Sequence, residues 1–285
     1  MDAILLATDL ANSLISECNV RGNNFDMESA NVLAKIGTEK GIMLFGIKRD
    51  QKEADFRNQG LGPVDAILLA TDLVTGGLTK LSLAANKLGE EGTKAICEAL
   101  QHNKTLKELD ISGNRHGNIG GSAGAKHVAK MLGVNGALTR VDVRKNYIAG
   151  DGAEQLSAAV LGNLKIEMFN GIPIKEMRAN SLTELDLNGK GVGVEGCMVV
   201  AGLIPVMGGL TVANLLGNQL DVKSAKMLAE AAKKKDISLC GIQRDQTTAD
   251  FSNQCLGPGD AILLATDLVT GALTEVWETC QPTAS

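Results

Sequence analysis

Three glycines with the spacing G-x-G-x-x-G occur in LTELDLNGKGVGVEGCMVVAGL, residues 182–203. They are Gly191, Gly193 and Gly196, and they lie between an alternating, strand-like run and an apolar, helix-like run. There the spacing is typical of a turn that binds a dinucleotide pyrophosphate, because glycine lets the backbone approach the phosphates. Such a site also needs an acidic residue about 20 positions later. Leu216 stands near that place, so a nucleotide site is not predicted.

Residue types that perform catalysis or hold metals do not form a recognised constellation. His102 and His127 have no cysteine or carboxylate at metal-ligand spacing, and no H-E-x-x-H, G-x-S-x-G or cysteine–histidine set occurs. The cysteines are far apart and lack a C-x-x-C pair, which is typical of apolar filler residues in a reducing compartment. They are Cys18, Cys97, Cys197, Cys240, Cys255 and Cys280. We predict a non-enzymatic, cytoplasmic protein with no catalytic residue, metal or small-molecule cofactor.

The glycines recur as part of a longer repeat. LTKLSLAANKLGEEGTKAICEAL, residues 78–100, aligns with the segment above under the pattern L-x-x-L-x-L-x-x-N-x-L-G-x-x-G. In this alignment Gly89 and Gly92 match Gly193 and Gly196. Such glycines let the chain leave a strand tightly and begin a helix close to it. They therefore predict architecture and not a nucleotide site.

The third apolar position of the pattern sets the period. Successive copies are separated by 36, 27, 28, 32, 44, 28 and 36 residues, and a basic period near 28 suits one strand plus one helix. The positions are Val20, Phe56, Leu83, Ile111, Val143, Leu187, Leu215 and Phe251. One strand and one helix cannot bury both of their apolar faces, whereas stacked copies can. The predicted fold class is α/β: a solenoid curved like a horseshoe, with a parallel sheet on its concave side and helices on its convex side.

This pattern resembles the leucine-rich repeats of the ribonuclease-inhibitor type, which are also found in NOD-like receptors and Ran GTPase-activating proteins. The resemblance covers nearly the whole chain. Segments such as GIKRDQKEADFRNQGLGPVDAILLATDL, residues 46–73, are also similar to repeat-rich proteins of unicellular algae. The resemblance implies a leucine-rich-repeat solenoid, and it leaves the function open because this fold serves many functions.

A second level of repetition links distant parts of the chain. Residues 15–81 align with residues 210–276 at a constant offset of 195 without gaps, and 38 of the 67 positions are identical. We predict a single repeat array over residues 1–285, in which the 195-residue block 15–209 is partly duplicated by 210–276. Met1 falls inside the helix of a repeat, and the last residues follow a strand. Both ends are therefore predicted to be cut within repeats.

An asparagine column follows the strands. A buried side-chain amide there can pair with backbone groups that a turn leaves unpaired. The predicted members are Asn23, Asn86, Asn114, Asn146 and Asn218, with Gln59 and Gln254 as substitutes. NRHGNIGGSAG, residues 114–124, is predicted to add a flexible four-residue insertion.

Three segments depart from the regular repeat. Only nine residues separate each of the apolar segments 42–47 and 237–242 from the next phenylalanine-bearing strand. A crossover between parallel strands needs a dozen or more residues, so neither segment is predicted to be a complete coil. Pro173 disfavours a helix, which predicts an irregular or strand-only connection in the 44-residue step.

The outward side of the strands is the predicted binding face. The residue between the last two apolar positions of each copy points away from the interior and gives a ladder of mostly acidic or amide side chains. Two interpretations are open: simple tolerance of aspartate at this position, or a stripe that binds a partner. The ladder consists of Asn19, Asp55, Ser82, Asp110, Asp142, Asp186, Asn214 and Asp250.

The repeats over residues 106–147 are the best candidate contact surface. They add basic side chains and the only tyrosine to the ladder, and interface hot spots are enriched in Tyr and Arg. The predicted partner-binding residues are Lys107, Glu108, Asp110, Arg140, Asp142, Arg144, Lys145, Tyr147, Asp186, Arg57 and Asp55. Aromatic residues make up only 2% of the chain, so the interface is predicted to be polar and of modest affinity.

Composition narrows the class of partner. A net charge of −5 disfavours nucleic acid, and the apolar run MDAILLATDL is too short for a signal peptide or a membrane span. The main hypothesis is an interaction scaffold whose partner is a protein, with no nucleic acid and no membrane. One alternative is a GTPase-activating protein of the Ran-regulator type. Another is a structural subunit of a large assembly such as an axoneme, for which Ile67 and Ile262 are predicted to be exposed on helices.

Overall fold

The computed structural model describes residues 3–270 and 275–277. The chain forms two compact units, Met1–Ile166 and Glu167–Ser285. In both units short strands alternate with helices along the chain, which confirms the predicted α/β repeat class.

The first unit begins with two helices and then alternates strand and helix. Its elements are α1 (Ala3–Asn12), α2 (Met27–Lys40), β1 (Glu53–Asp55), α3 (Pro63–Thr75), β2 (Lys80–Ser82), α4 (Gly89–Leu100), β3 (Glu108–Asp110), α5 (Gly121–Leu132), β4 (Arg140–Asp142) and α6 (Gly150–Gly162). Each helix packs on the next one in the chain.

The second unit follows the same plan with shorter elements at its start. They are β5 (Met168–Phe169), α7 (Ile174–Arg178), β6 (Glu184–Asp186), α8 (Gly193–Leu203), the 3₁₀ turn Ile204–Val206, β7 (Val212–Asn214), α9 (Val222–Lys233), β8 (Thr248–Asp250), α10 (Pro258–Thr270) and β9 (Glu275–Trp277). β6 pairs with β7 and β8 with β9, both in parallel.

Strands β1 to β4 pair in parallel, in chain order and without any slip in register. The middle residue of each strand points into the core, and Leu81, Leu109 and Val141 are at most 3% exposed. Helix α4 buries Ile96 and Leu100 on the stripe that its apolar spacing predicts. Full burial of one such side chain contributes about 2 kcal/mol, and adjacent repeats supply the covering surface.

One glycine of the repeat is required where two helices meet. A Cβ atom at Gly92 would lie 2.9 Å from the Cβ of Ala66 and 3.0 Å from the Cα of Pro63. Only a residue without a side chain allows α4 to approach α3 this closely. This is the architectural role that the sequence predicts for the second glycine of the pattern.

Asparagine side chains join adjacent repeats, as predicted for Asn86, Asn146 and Asn218. The Asn146 Nδ2 donates to the carbonyl oxygens of Val143 at 2.8 Å and Ile111 at 3.0 Å. Its Oδ1 accepts from the backbone N–H of Asn118 at 2.7 Å and from that of Ile119. Since Asn146 is 2% exposed, it pairs backbone groups that water cannot reach.

The prediction for Asn114 was wrong, because Asn118 takes that place in the column. Asn118 is 4% exposed, and its Nδ2 donates to the carbonyl oxygens of Leu83 at 2.9 Å and Ile111 at 3.2 Å. Asn114 is half-buried and instead accepts the backbone N–H of His116. The four-residue insertion precedes the buried asparagine and shifts it along the sequence.

Other predicted members of the column are exposed and do not fill a buried site. The Nε2 atoms of Gln59 and Gln254 lie 3.4 Å and 3.3 Å from the carbonyl oxygens of Asp55 and Asp250. Asn23 is also exposed and donates to the carbonyl oxygen of Val20 in its own repeat. A glutamine side chain has one more methylene, which leaves its amide outside the turn.

Residues 42–47 lie beside the preceding strand-like segment. The backbone N–H of Cys18 donates to the carbonyl oxygen of Met43 at 2.8 Å, and that of Val20 donates to Leu44 at 2.9 Å. The chain then reaches β1 without an intervening helix. The prediction that this segment is not a complete coil is confirmed.

A buried carboxylate holds the segment 42–47 in place. Asp72 of α3 is 1% exposed, and its two oxygens accept the backbone N–H groups of Leu44, Phe45 and Ile47 at 2.5–3.2 Å. Burial raises the pKa of the Asp72 carboxyl above its ordinary value, and the three backbone donors oppose that rise.

Proline 173 begins a helix where none was predicted. It stands immediately before α7, a helix of five residues. Proline fits this position because the N–H that it lacks would have no partner within the helix. The prediction of an irregular or strand-only connection was therefore wrong.

The predicted exposure of Ile67 was also wrong. Its side chain is 7% exposed on α3, and Ile262 is partly buried on α10. Helix α3 packs between α2 and α4, and Ile67 is covered in this packing although the exposed Lys94 occupies the matching position on α4. The exposed apolar column that favoured a large-assembly subunit is thus absent at Ile67.

The duplication in sequence is also a duplication in structure. β1 and β8, α3 and α10, and β2 and β9 begin and end at positions that differ by 195 residues. In the second copy Asp267 accepts the backbone N–H groups of Leu239 and Cys240, as Asp72 does in the first copy. The same local sequence therefore makes the same local contacts in both units.

Thiol labelling should separate the cysteines by burial. Cys97, Cys197 and Cys240 are buried, and burial raises the pKa of each thiol, whereas Cys255 is exposed. We expect Cys255 to react fully with iodoacetamide before the three buried thiols react, because the thiolate is the reactive form. Mass spectrometry after timed labelling measures this. Equal rates at Cys97 and Cys255 would contradict the packing. Cys280 lies outside the described residues.

Candidate protein-interaction face

The outward side chains of β1 to β4 form the surface that we call the sheet face. In its first column the register places Glu53, Lys80, Glu108 and Arg140 side by side, so acidic and basic residues alternate. In the second column stand Asp55, Ser82, Asp110 and Asp142. This face is polar because the strand residues between the two columns point into the core.

The aspartates of the second column support the backbone. The Oδ1 atoms of Asp55, Asp110 and Asp142 each accept the backbone N–H two residues further on, at 2.9–3.1 Å. Aspartate and asparagine favour this local turn. In the second unit Asp186 makes the same bond to the N–H of Asn188. The acidic ladder therefore has a structural cause, and its presence does not by itself indicate a partner.

Ion pairs within the sheet face neutralise much of its charge. Glu108 lies between two cations, 3.6 Å from the Nζ of Lys80 and 3.7 Å from the Nε of Arg140. Arg57 approaches Asp110 at 3.9 Å. Exposed pairs of this kind contribute at most about 1 kcal/mol to stability, so they leave these side chains able to change partners.

Arg144 and Asp142 form the tightest pair. The Arg144 Nη2 lies 2.6 Å from Oδ2 of Asp142, and its Nε lies 3.0 Å from both carboxylate oxygens. Hydrogen bonding to Asp142 raises the pKa of the Arg144 guanidinium, and burial opposes that rise. This geometry fixes the arginine along the end of β4.

Lys145 and Tyr147 project from the loop after β4, which we call the rim loop. Both have positive φ angles, 59° and 54°, and flank the buried Asn146. Tyr147 is 65% exposed, and its hydroxyl donates to the carbonyl oxygen of Arg115 at 2.8 Å. A cavity of about 450 Å³ opens beside this ring. It is lined by Lys87, Gly89, His116, Gly117, Asn118, Gly120, Gly121, Asn146 and Tyr147.

The structure brings together most of the predicted binding residues. All of them except Asp186 belong to the first unit, on the sheet face, beside it or on the rim loop; Asp186 is exposed on β6 of the second unit. Lys107 is exposed just before β3. Sequence reasoning missed Lys80, although the constant spacing of the repeat places it in the column of Glu108 and Arg140.

In the G-x-G-x-x-G turn, the backbone N–H of Val192 already has a hydrogen-bond partner within the chain. The backbone N–H of Val192 donates to Oδ1 of Asn218 at 3.1 Å, and α8 begins at the next residue. A Cβ atom at Gly196 would lie 3.1 Å from the Cδ1 of Ile172. The turn is therefore packed within its own unit.

In residues 3–270 and 275–277, no group of three or more His, Cys, Asp or Glu side chains could hold a metal ion. Over the same residues, no helix combines the length and apolar character needed to cross a membrane.

A family model described as "Leucine Rich repeat" matches residues 102–123, which contain β3 and the start of α5. The matched segment is a leucine-rich repeat. The chain's similarity to other proteins extends well beyond that segment. The chain is 26% identical over 180 residues, or 62% of its length, to NACHT, LRR and PYD domains-containing protein 5 of Bos taurus. It is 30% identical over 168 residues, or 59% of the chain, to NACHT, LRR and PYD domains-containing protein 13 of Homo sapiens.

The chain spans 14% of the length of each of these relatives. They support the predicted resemblance to repeats of the NOD-like type and the class of protein-interaction repeat domains. A solved structure titled as the tropomodulin C-terminal domain from Caenorhabditis elegans is 15% identical and covers 57% of this chain and 93% of its own. Its TM-score of 0.34 is too low to establish a shared fold.

Proposed function

We propose that this chain is a leucine-rich-repeat array that serves as a non-enzymatic scaffold and binds a protein partner through the sheet face and the rim loop. The observation that carries the proposal is the alternating charge of the first column of β1 to β4, with an exposed tyrosine close to its end. Exposed, conformationally limited Tyr and Arg side chains are frequent hot spots. Leucine-rich repeats are generally binding modules, which also supports the proposal.

The chemistry of the face defines the partner. A surface with paired charges of both signs and almost no exposed aromatic residues fits a polar protein segment that carries charges of both signs. Such an interface gains specificity from the match of charges and geometry more than from buried apolar area. We therefore propose a modest affinity and a reducing, cytoplasmic location, with neither nucleic acid nor a membrane as the partner.

Charge exchange at one ion pair tests the sheet face. We expect Arg140→Glu to reduce capture of the partner about tenfold. The introduced carboxylate would repel the acidic group of the partner that pairs with Arg140. The double variant Glu108→Arg/Arg140→Glu restores an ion pair between these two positions but reverses the order of charges in the first column. The free energy of unfolding should therefore recover, whereas capture of the partner should not. Quantitative crosslinking and mass spectrometry of captured proteins, compared with the unchanged chain, measure this.

Two further variants complete the design. Lys94→Glu changes the same charge on the exposed side of α4 and should leave capture unchanged. Tyr147→Asn removes the ring while keeping a residue that tolerates a positive φ, and it should reduce capture. If Arg140→Glu and Tyr147→Asn both retain full capture, the sheet face is not the binding surface.

The enzymatic alternative has a separate test. We expect no acceleration of single-turnover GTP hydrolysis when the chain is added to small GTPases of the Ran type. Acceleration that depends on the chain would replace the scaffold proposal with that of a GTPase-activating protein.

A further inference from the structure

In the first unit, an arginine guanidinium lies against two aromatic rings. The Cζ of Arg21 is 5.2 Å from the centre of the Phe45 ring and 5.1 Å from that of the Phe56 ring, and the two rings meet edge to face. The Nη2 of Arg21 also donates to Oε1 of Gln59. Two aromatic rings and an amide oxygen are a favourable setting for a planar cation.

The second unit repeats this site without the arginine. At the offset of 195, Leu216 stands in the place of Arg21 and Cys240 in the place of Phe45. The second ring and the amide are kept as Phe251 and Gln254. A cavity of about 190 Å³, which we call the Phe251 cavity, is lined by Leu216, Cys240, Phe251 and Gln254 among others. Leucine and cysteine are shorter than the residues that they replace, which accounts for the cavity.

The backbone follows the same path in both sites. The N–H groups of Arg21 and Leu216 each donate to the side-chain oxygen of the asparagine two residues earlier, at 3.1 Å and 3.3 Å. Gly46 and Gly241 both have positive φ angles, 89° and 77°. The cavity therefore results from the replaced side chains and not from a different course of the chain.

An acidic acceptor remains at the second site, but its neighbouring arginines are replaced. Asp250 is exposed, lines the Phe251 cavity and accepts the backbone N–H of Ser252 at 2.8 Å. Hydrogen bonds from the Ser252 side chain and backbone lower the pKa of Asp250. Ser252 stands where the first unit has Arg57, which lies 4.0 Å from Asp55. The second site thus keeps a charged carboxylate while both positions that carry arginine in the first unit are neutral.

Gln254 supplies a second acceptor. Its Nε2 lies 3.3 Å from the carbonyl oxygen of Asp250, as the Nε2 of Gln59 lies 3.4 Å from that of Asp55, so the two side chains run in the same direction. The Oε1 of Gln59 accepts from Arg21. Among the residues that the structure describes, none donates to Oε1 of Gln254. A carboxylate and an amide oxygen beside an aromatic ring complement a guanidinium.

The Phe251 cavity lies between described strands of the second unit. Its residues belong to β7, to β8 and to the segments that follow them, while β6 pairs with β7 and β9 pairs with β8. A repeat that stacked beyond β6 or β9 would therefore leave the cavity uncovered. Asn214 and Asp250 are outward residues of β7 and β8, so the cavity opens on the outward side of the strands.

We infer that the Phe251 cavity binds an arginine side chain of a partner protein. The guanidinium lies against the Phe251 ring, and its N–H groups donate to the carboxylate of Asp250 and to Oε1 of Gln254. It takes the place that Arg21 fills within the first unit. The cavity shares no residue with the sheet face or the rim loop, so the two sites are tested independently.

Titration of the full chain with N-acetylarginine amide tests the inference, because this compound presents the side chain as a protein does. In NMR spectra of the isotope-labelled chain, we expect saturable shifts at the amides of Gly241 and Phe251. The dissociation constant should be about 1 mM, since one side chain makes few contacts. The citrulline compound lacks the charge and the lysine compound lacks the planar fork, so each should bind about tenfold more weakly.

Three variants complete the design. Asp250→Asn should weaken binding about tenfold but keep the bond to the N–H of Ser252, because asparagine forms the same turn. Glu230→Gln makes the same charge change on the exposed side of α9 and should leave the affinity unchanged. Arg21→Ala should add a second set of shifts, at Gly46, because it opens the equivalent site in the first unit.

Several results would overturn the inference. They are an absence of saturable shifts at Gly241, an unchanged affinity of Asp250→Asn, and equal binding of the citrulline compound. Tighter binding of free arginine than of N-acetylarginine amide would identify the amino acid as the ligand. Self-association that Asp250→Asn abolishes would identify a second copy of the chain. Either finding would exclude a partner's side chain as the occupant.

Discussion

Replacement of Asp72 by alanine is expected to lower the free energy of unfolding of the first unit by about 4 kcal/mol. The carboxylate accepts the backbone N–H groups of Leu44, Phe45 and Ile47 in a site that is 1% exposed. Alanine would leave these donors buried without partners and would also create a cavity. Urea unfolding followed by circular dichroism measures the loss, and hydrogen exchange at the three amides locates it.

The matched control is the same substitution within α1, where residues 3–10 repeat the sequence AILLATDL of residues 66–73. Asp9→Ala on α1 changes an exposed carboxylate and should alter the free energy of unfolding by less than about 0.5 kcal/mol. Because the neighbouring residues are identical, helix propensity cancels in the comparison. Equal losses for Asp9→Ala and Asp72→Ala would show that the backbone bonds to Asp72 do not stabilise the unit.

Replacement of Asn118 by alanine is expected to cost about 3 kcal/mol of unfolding free energy. Its side chain donates to carbonyl oxygens of two repeats, Leu83 and Ile111, and its Oδ1 accepts the backbone N–H of Leu88. Asn114→Ala, four residues earlier in the same loop, should cost less than about 1 kcal/mol. Its side chain is half-buried and accepts one local N–H.

The prediction is tested by the difference between the losses of unfolding free energy in Asn118→Ala and Asn114→Ala. Both variants remove the same amide, so the comparison isolates burial and partners. Chemical unfolding of the two proteins side by side measures it. A larger loss of unfolding free energy for Asn114→Ala than for Asn118→Ala would contradict this. It would mean that Asn114, as the regular spacing predicts, belongs to the asparagine column.

The sequence was sufficient for the regular parts of the fold. Leucines at fixed spacing predict alternating burial in a strand, and Leu81 and Leu109 are buried in register as expected. The following helical stripe also forms, because its apolar residues recur on one face. Repetition strengthened each inference, since a pattern that recurs eight times cannot arise from local coincidence.

The features that the sequence did not predict depend on contacts between residues far apart in the chain. The buried asparagine is Asn118 and not Asn114 because the insertion lies before it, and the repeat spacing does not specify the position of the insertion. The burial of Asp72 depends on the segment 42–47 lying beside it. The helix after Pro173 could have been anticipated, because proline is compatible with the start of a helix.

The candidate face was predicted as a set of positions but not as an arrangement of charges. The ladder position of Asp110 and Asp142 was identified, while their bonds to the following backbone were not. Those bonds could have been anticipated from the tendency of aspartate to form such turns. The pairing of Glu108 with both Lys80 and Arg140 needed the strand register, which places three repeats side by side.

The ion pairs of the sheet face bear on how association responds to ionic strength. Glu108 and Asp110 already lie beside cations of their own chain, so little uncompensated field extends into the solvent. A partner on this face would exchange one set of close pairs for another, and long-range steering would contribute little to the encounter. The association rate would then change only weakly with added salt, and discrimination between partners would reside in the dissociation rate.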